Sequence, residues 1–408
     1  MMDSPEARAT STPPWLFDRQ GLALATFVMI VAAALRAADI TFLAAALLLV
    51  GLAAHAWAKL AFVRLTYTRR TSTSRAFCGD QVQLESTLAN PGPLLLPWLE
   101  IWERLPAALG PVGPNERSYV DPERVWVNRG VGLWPYQRLR WRRQLNCRTR
   151  GVFRLGEVCL RTGDPFGFVE RERSSDDAAE LLVYPRIVPL RRLALPLRHP
   201  ALDIASPRSP VADPTRTATV RDYQPDDARR MIHWPTSARR GSLQVRVLEP
   251  ATSLHASLVL DVRGFTFGAY RLELLELTLS ALASIAVLLQ NQGSPLALLA
   301  NTDPPLLIPP GASVAQLQQV LEGLARLQPR AGPSLVPWAF DHVRRGNSVI
   351  LATSDAVDGF EQTLQRFTAA GLSTQLLLAR AVDARPTAAQ ALVLTPGCDV
   401  TAVLEGRA

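Results

Sequence analysis

The hydrophobic pattern changes period several times along the chain. GLALATFVMIVAAAL (Gly21 to Leu35) and ITFLAAALLLVGLAAHAWA (Ile40 to Ala58) are unbroken apolar runs separated by RAAD. The second approaches the roughly 20 residues that cross a bilayer as a helix; the first reaches that span with Trp15 to Phe17 added or with local bilayer thinning. The pattern therefore predicts a transmembrane helical hairpin over 21–58 behind a tail at 1–20. From 60 to 190 the period drops to two: QVQLESTLAN alternates, and ERVWV, QRLRW, GVFRL and ELLVYP are short runs between Pro and Gly turns. Without a helix-period run among them, they predict an antiparallel β-sandwich of immunoglobulin-like kind. Residues 191–220 are proline-rich and read as an extended linker. A charged segment at 221–248 follows. In 249–408, LHASLVLDV, PLALLAN, NSVILATSD and TQLLLA alternate with helix-period stretches at Tyr270 to Gln290, Ser313 to Leu327 and Gly359 to Ala370. That alternation predicts an α/β domain with a mostly parallel sheet and helices on both faces. Tyr270 to Gln290 is apolar enough to imitate a span, but Glu273, Glu276 and its place between strands mark it as a core helix.

Composition sharpens this picture. Of 408 residues 48% are hydrophobic, more than one soluble domain needs, so part of the surplus belongs in lipid. The net charge is +8 and every basic residue except Lys59 is arginine. Lys59, Arg64, Arg69, Arg70 and Arg75 follow the second run before any acid, whereas the hairpin turn sets Arg36 against Asp39. At about 1 kcal/mol per basic group near an anionic leaflet, this flank predicts cytoplasmic C-terminal domains. A cleaved signal peptide behind Arg8 and Arg19 is the competing reading, and it would still leave the second run as an anchor. Cys78, Cys147, Cys159 and Cys398 show no Cys-x-x-Cys spacing, which fits a reducing compartment and neither a zinc cluster nor a disulfide framework. RLRWRRQLNCRTRGVFR interleaves Trp141 and Phe153 with arginines, yet no nucleic-acid fold signature accompanies it. It reads as a strand with a solvated basic face near the membrane, and no nucleic-acid partner is expected.

Candidate chemistry is sparse. In an open parallel sheet, ligands bind beyond the carboxyl ends of the strands, where Asp261, Thr353, Ser354 and Asp355 would suit a hard cation. Arg263 and Phe265 stand where further oxygen ligands would be wanted, so Asp261 and Asp355 are weak metal candidates. The histidines, His55, His199, His233, His255 and His342, share no metal or nucleophile spacing, and no phosphate loop is present. Neither a cofactor nor an enzymatic activity is expected. The densest feature is RDYQPDDARRMIHWPTSARRG, Arg221 to Gly241, with acids and arginines around Tyr223 and Trp234. Asp226 or Asp227 can cap a short helix DARRMIHW, and Pro235 can start a second turn ending at Gly241. Arg is the cation best fitted to hold a carboxylate by two parallel bonds. The segment is either an internal ion-pair network or a docking face for an acidic or phosphorylated partner.

Arg221, Asp222 and Tyr223, then Asp227, Arg230, Ile232 and Trp234, then Ser237, Ala238 and Arg239 resemble the signature of the bacterial family known as domain of unknown function 58. GDPFGF (Gly163 to Phe168) is similar to a second element of that family, which closes its sandwich. Asp226 stands where the family usually has glycine, and Pro235 where a polar or basic residue is usual. The resemblance implies a von Willebrand factor A-like domain after the sandwich, often with a degenerate metal site. It also implies association with MoxR-type AAA+ ATPases alongside transglutaminase-like membrane proteins, hence a multi-pass protein of the bacterial inner membrane acting as scaffold or adaptor.

Overall fold

A computed structural model describes residues 19–110, 117–120, 124–175, 179–194, 212–225, 227, 229–250, 256–266, 270–330, 332–343, 347–354, 360–370, 372–381 and 391–407. The chain forms two compact units, Met1–Tyr184 and Pro185–Ala408. Asp226 and Asp355 lie outside the described residues.

The first unit opens with a hairpin of α1 (Arg19–Ala34) and α2 (Ala38–Ala61) joined through Arg36 at φ 53°. At 1.5 Å per residue, the 24-residue α2 is about 36 Å long. Its buried residues are Ala44, Gly51, Ala54, Ala58 and Ala61, a stripe of small side chains at intervals of three, four and seven that lets neighbouring backbone come close. Phe42, Leu43, Leu49 and Leu52 face outward. Among the described helices, Ala38–Ala61 and Arg271–Asn291 are long and apolar enough to cross a bilayer. Only 17% of the first one's apolar window is buried, against 72% for the second, so the second is a core helix and the first presents its apolar side chains outward.

α2 runs straight into a β-rich body. The strands are β1 (Thr66–Thr71), β2 (Arg75–Phe77), β3 (Gln81–Ala89), β4 (Leu96–Pro106), β5 (Arg117–Val120), β6 (Arg124–Leu133), β7 (Arg138–Asn146), β8 (Gly151–Leu155), β9 (Val158–Gly163), β10 (Glu170–Ser175) and β11 (Ala179–Tyr184). They form sheets β1-β3-β7, β10-β9-β4-β6-β5 and β2-β11-β8, antiparallel except where β2 meets β11. Ala61 and Leu65, at the end of α2, join a core with Leu88, Leu99, Ile101, Leu133 and Leu160. A second cluster of Leu84, Leu105, Val127, Leu145 and Val183 fills the other half. Register fixes which connections share an end: Thr66 faces Ala89, Ala89 faces Arg138, Leu96 faces Leu133, and Leu99 faces Thr162. The connections at 62–65, 90–95, 134–137 and 164–169 therefore all gather where α2 enters.

Two polar features organise this body. Arg143, buried, forms an ion pair with buried Glu103, which also accepts from the Tyr67 hydroxyl and from Ser86 Oγ at 3.0 Å. Burial first, then the Glu103 charge, raises Tyr67 far above the usual phenol range. Arg69, counted in the sequence as a flanking charge, is instead inside and donates to the carbonyls of Leu155, at 2.7 Å, and Gly156. In the GDPFGF turn, buried Asp164 accepts from the amides of Phe166 at 2.9 Å and Val169 at 2.6 Å, and Gly167 takes φ +74°. A side chain on Gly163 would meet the Val169 carbonyl at 2.2 Å, so glycine is required there.

The second unit begins with a ribbon of β12 (Ala212–Asp222) and β13 (Gln244–Pro250). Residues 212–220, from the proline-rich stretch, are thus strand. The main sheet has six strands, β14 (Ala256–Leu260), β15 (Leu296–Ala300), β16 (Leu306–Gly311), β17 (Ser348–Ser354), β18 (Ser373–Ala379) and β19 (Ala391–Leu394), in the order β16-β15-β14-β17-β18-β19. All neighbours are parallel except β15 and β16, so the sheet is mixed. Between the ribbon strands lies α3 (Trp234–Arg240); α4 (Arg271–Asn291), α5 (Val314–Arg326), α6 (Leu335–His342), α7 (Phe360–Ala369) and α8 (Val400–Glu405) follow. The side chains of Thr278 and Ser284 donate to carbonyls one turn back, at 2.7 Å each, so these two hydroxyls are buried on α4 with their donors satisfied.

Candidate functional site

The signature segment bridges β12 and β13, and its local order follows from a few contacts. Arg221, on β12, holds Asp227 by two parallel bonds, Nη1 to Oδ2 at 2.8 Å and Nη2 to Oδ1 at 2.6 Å. The same carboxylate accepts from the Gln224 amide at 2.9 Å, closing a turn around Pro225. These bonds, led by the guanidinium, hold Asp227 below the usual carboxylate range. The expected helix DARRMIHW is only a 3-10 turn at Arg229–Met231. The α-helix starts later because His233 caps it, accepting from the Thr236 amide, and Pro235 occupies its first turn, where no amide is needed. It ends at Gly241 in the left-handed conformation, φ +70°.

Gln244 is the hub, and sequence reasoning passed over it. It is fully buried at the start of β13. Its amide donates to Ser237 Oγ at 2.8 Å, its carbonyl accepts from the His233 amide at 2.8 Å, and its side chain donates to Asp222 and accepts from Arg240 at 3.3 Å. Ile232, buried, bridges to Val245. Of the predicted residues, Arg221, Asp222, Tyr223, Asp227, Ile232 and Ser237 thus lie in or beside one hydrogen-bonded joint. Trp234 does not: its side chain is 66% exposed on the first turn of α3, and Arg239 is exposed on the last. Arg230 lies in the 3-10 turn.

At the main sheet, β14 has β15 on one side and β17 on the other, which makes the gap beyond β14 and β17 the topological switch point. Asp261 sits there, buried, opposite Thr353 by register. Its carboxylate accepts from Asn301 Nδ2 at 2.8 Å, from the Arg263 amide at 3.2 Å, and from the Arg263 guanidinium at 3.2 and 3.1 Å. The chain thus supplies its own counter-cation to this carboxylate, and Asp261 as arranged does not fit a metal. Thr353 Oγ1 is buried with no hydrogen-bond partner among the described residues. No group of three or more His, Cys, Asp or Glu among the described residues could hold a metal.

Two of the thiols, Cys147 and Cys159, are buried. Burial pushes Cys147 up to about 11. Burial, reinforced by a 2.6 Å hydrogen bond to Glu172, pushes Cys159 higher still, so both stay protonated at neutral pH.

Residues 219–386 match the family model described as Protein of unknown function DUF58, a span that starts at the signature joint and includes the switch point. The uncharacterized protein YeaD of Bacillus subtilis (strain 168) is 26% identical over 221 residues, 53% of this chain and 52% of that one, so the chain spans about half the length of this curated relative. Among solved structures, the CARDB domain of the PF1109 protein of Pyrococcus furiosus is 13% identical over 29% of this chain and 91% of its own, with a TM-score of 0.21. Proximal thread matrix protein 1 from the mussel byssus is 11% identical over 38% of this chain and 46% of its own, with a TM-score of 0.28. With scores this low the two structures are local likenesses and carry no functional argument.

Proposed function

We propose that this protein is a non-enzymatic, membrane-anchored scaffold. α1 and α2 span the bacterial inner membrane, and an immunoglobulin-like sandwich and a von Willebrand factor A-like unit occupy the cytoplasm. The face around α3 engages a protein partner, a MoxR-type AAA+ ATPase, with a transglutaminase-like membrane protein as a further associate. One observation carries this reading: Trp234 and Arg239 are held out to solvent on a short helix capped at both ends and tied down through Gln244. Trp and Arg dominate binding energy at protein interfaces, and a helix already fixed loses little entropy on docking. The cytoplasmic assignment rests on Lys59, Arg64, Arg70 and Arg75, since buried Arg69 no longer counts. Solubilised membranes should yield the ATPase with the wild-type chain, and Trp234→Ala should cut its recovery at least tenfold, as removal of about 1.4 kcal/mol or more would do. Repeated recovery of wild-type protein, anchor intact, without any ATPase would contradict the proposal.

A second reading, cation-dependent binding through Asp261 and Asp355, draws on the orphaned hydroxyl of Thr353, which follows Ala352, the register partner of Leu260. It requires Arg263 to leave the carboxylate. Calorimetry with magnesium or manganese separates the two: heat of binding that disappears in Asp261→Ala favours the cation site, and none in wild type or Arg263→Ala removes it.

A further inference from the structure

We infer that the end of the sandwich that receives α2 is itself seated in the lipid headgroup layer, with its aromatic turns as interfacial anchors and a row of arginines toward anionic headgroups. The inference rests on α2 crossing the bilayer and goes beyond anchoring by the hairpin.

Two turns at that end expose large aromatic rings. Phe166 is 75% exposed and stacks on Phe168 with centroids 5.6 Å apart; Trp134 and Tyr136 are 67% and 72% exposed. Neither turn is loose. Asp164 pins the first through two backbone amides. The second is closed by the Gln137 amide on the Trp134 carbonyl at 3.2 Å and Gln137 Oε1 on the Trp134 amide at 2.8 Å, and it is tied to the neighbouring loop by the Tyr136 amide on Gly92 at 3.2 Å. Rigid display of three such rings in water has no packing reward.

The height of these turns is set by what they touch. Phe168 and Val169 pack against Ala54 and Ala58, seven and three residues before the end of α2 and so roughly 10 and 5 Å up its axis from Ala61. The apolar run gives way to Lys59 and Arg64 at this same level. Aromatic rings concentrate at that boundary in membrane proteins because their apolar body and polar edge suit it. Behind the turns, the outer face of β1-β3-β7 carries successive rungs Thr66, Ala89, Arg138 and then Thr68, Thr87, Arg140. They are about 7 Å apart, so guanidinium groups stand just outside the aromatic level. Arg140 pairs with Glu85 at 2.9 Å, and Arg70, Arg138 and Arg140 line the same cleft with Glu85 as its acid. The cleft is net basic, as an anionic lipid surface requires.

The test uses the full-length chain with alanine at its native cysteine positions, in vesicles of phosphatidylcholine with or without phosphatidylglycerol. Single nitroxide labels are placed by Pro165→Cys and Tyr136→Cys in the turns, Leu49→Cys in α2, and Thr149→Cys at the far end of the sandwich. The inference expects turn labels that collide with oxygen more than with a water-soluble nickel complex, with Thr149 reporting water. Arg138→Glu with Arg140→Glu should move the turn labels toward water only in the phosphatidylglycerol vesicles. If Leu49 is in lipid but the turns match Thr149, this inference falls and the anchor stands. Turn labels shielded from both reagents would mean a protein cover and also overturn it. A Leu49 label in water removes the anchor and the inference together. As a check without cysteine replacement, brominated lipid should quench the wild-type tryptophan emission more than that of Trp134→Phe; equal quenching counts against the inference.

Discussion

Glu103 and Arg143 show what a single residue can decide. Their side chains are 3% and 6% exposed, so the pair is useful only while both members are present. Glu103→Ala should destabilise the first unit by about 3–5 kcal/mol by removing the carboxylate from a buried guanidinium, whereas replacing both by Met should recover only part of that loss, because the Tyr67 and Ser86 hydroxyls still lose their acceptor. Denaturant unfolding of the two variants in one detergent measures the difference. At the signature joint the expected effect is one of pH. Asp227 titrates lower in the folded chain than in the unfolded one, so its contribution is present above the ordinary Asp value of about 3.9 and is lost as pH falls through the folded value. Arg221→Ala should bring the Asp227 titration, followed by carboxyl carbon resonances, back toward the ordinary range. A charged network was legible from the acids and arginines crowded into this segment, but the pairing was not, because Asp227 reads as a helix cap and is instead held by Arg221 across Pro225. Gln244 was not legible, because a glutamine opening an apolar strand looks like an edge residue until the contacts closing on it from Asp222, His233, Ser237 and Arg240 are seen.

Elements were easiest to read where one period governs them. The apolar runs at 21–35 and 40–58 became helices shifted by only a few residues, since nothing competes with helix in a stretch of Ala and Leu. The edge strand β16 went unseen because LLIPPG contains Pro309 and Pro310, which an inner strand would reject and an edge strand tolerates. The helix DARRMIHW was expected from its charges, yet Pro235 and the His233 cap move the true start to Trp234. Packing on α2 makes a prediction at this scale. Ala58 is fully buried in the small-residue stripe, so Ala58→Leu should cost about 1–3 kcal/mol through overpacking. Leu49→Ala, on the outward face, should leave thermal stability in nanodiscs almost unchanged. Gly163→Ala should displace the Asp164 turn and lower the melting temperature of the first unit, since the added methyl has no room beside the Val169 carbonyl and the Trp98 ring. Full stability in that variant would show that the turn does not close the body as described.

For the molecule as a whole, the pieces assign different tasks to its ends. The first unit couples an outward-facing apolar helix to a β-rich body with no intervening linker, through Ala61 and Leu65 in the shared core. The second unit carries the joint, the exposed Trp234 and a switch-point carboxylate already neutralised by Arg263. Cys147 and Cys159 stay protonated, and Arg263 occupies the Asp261 carboxylate. Photo-crosslinking from a benzophenone amino acid at Trp234, in native membranes of growing cells, tests this account most directly. It predicts one protein adduct, identified by mass spectrometry as an AAA+ ATPase and lost when Arg239→Ala is added. Adducts only to lipid, or a reagent confined to the cell exterior reaching that position, would contradict it.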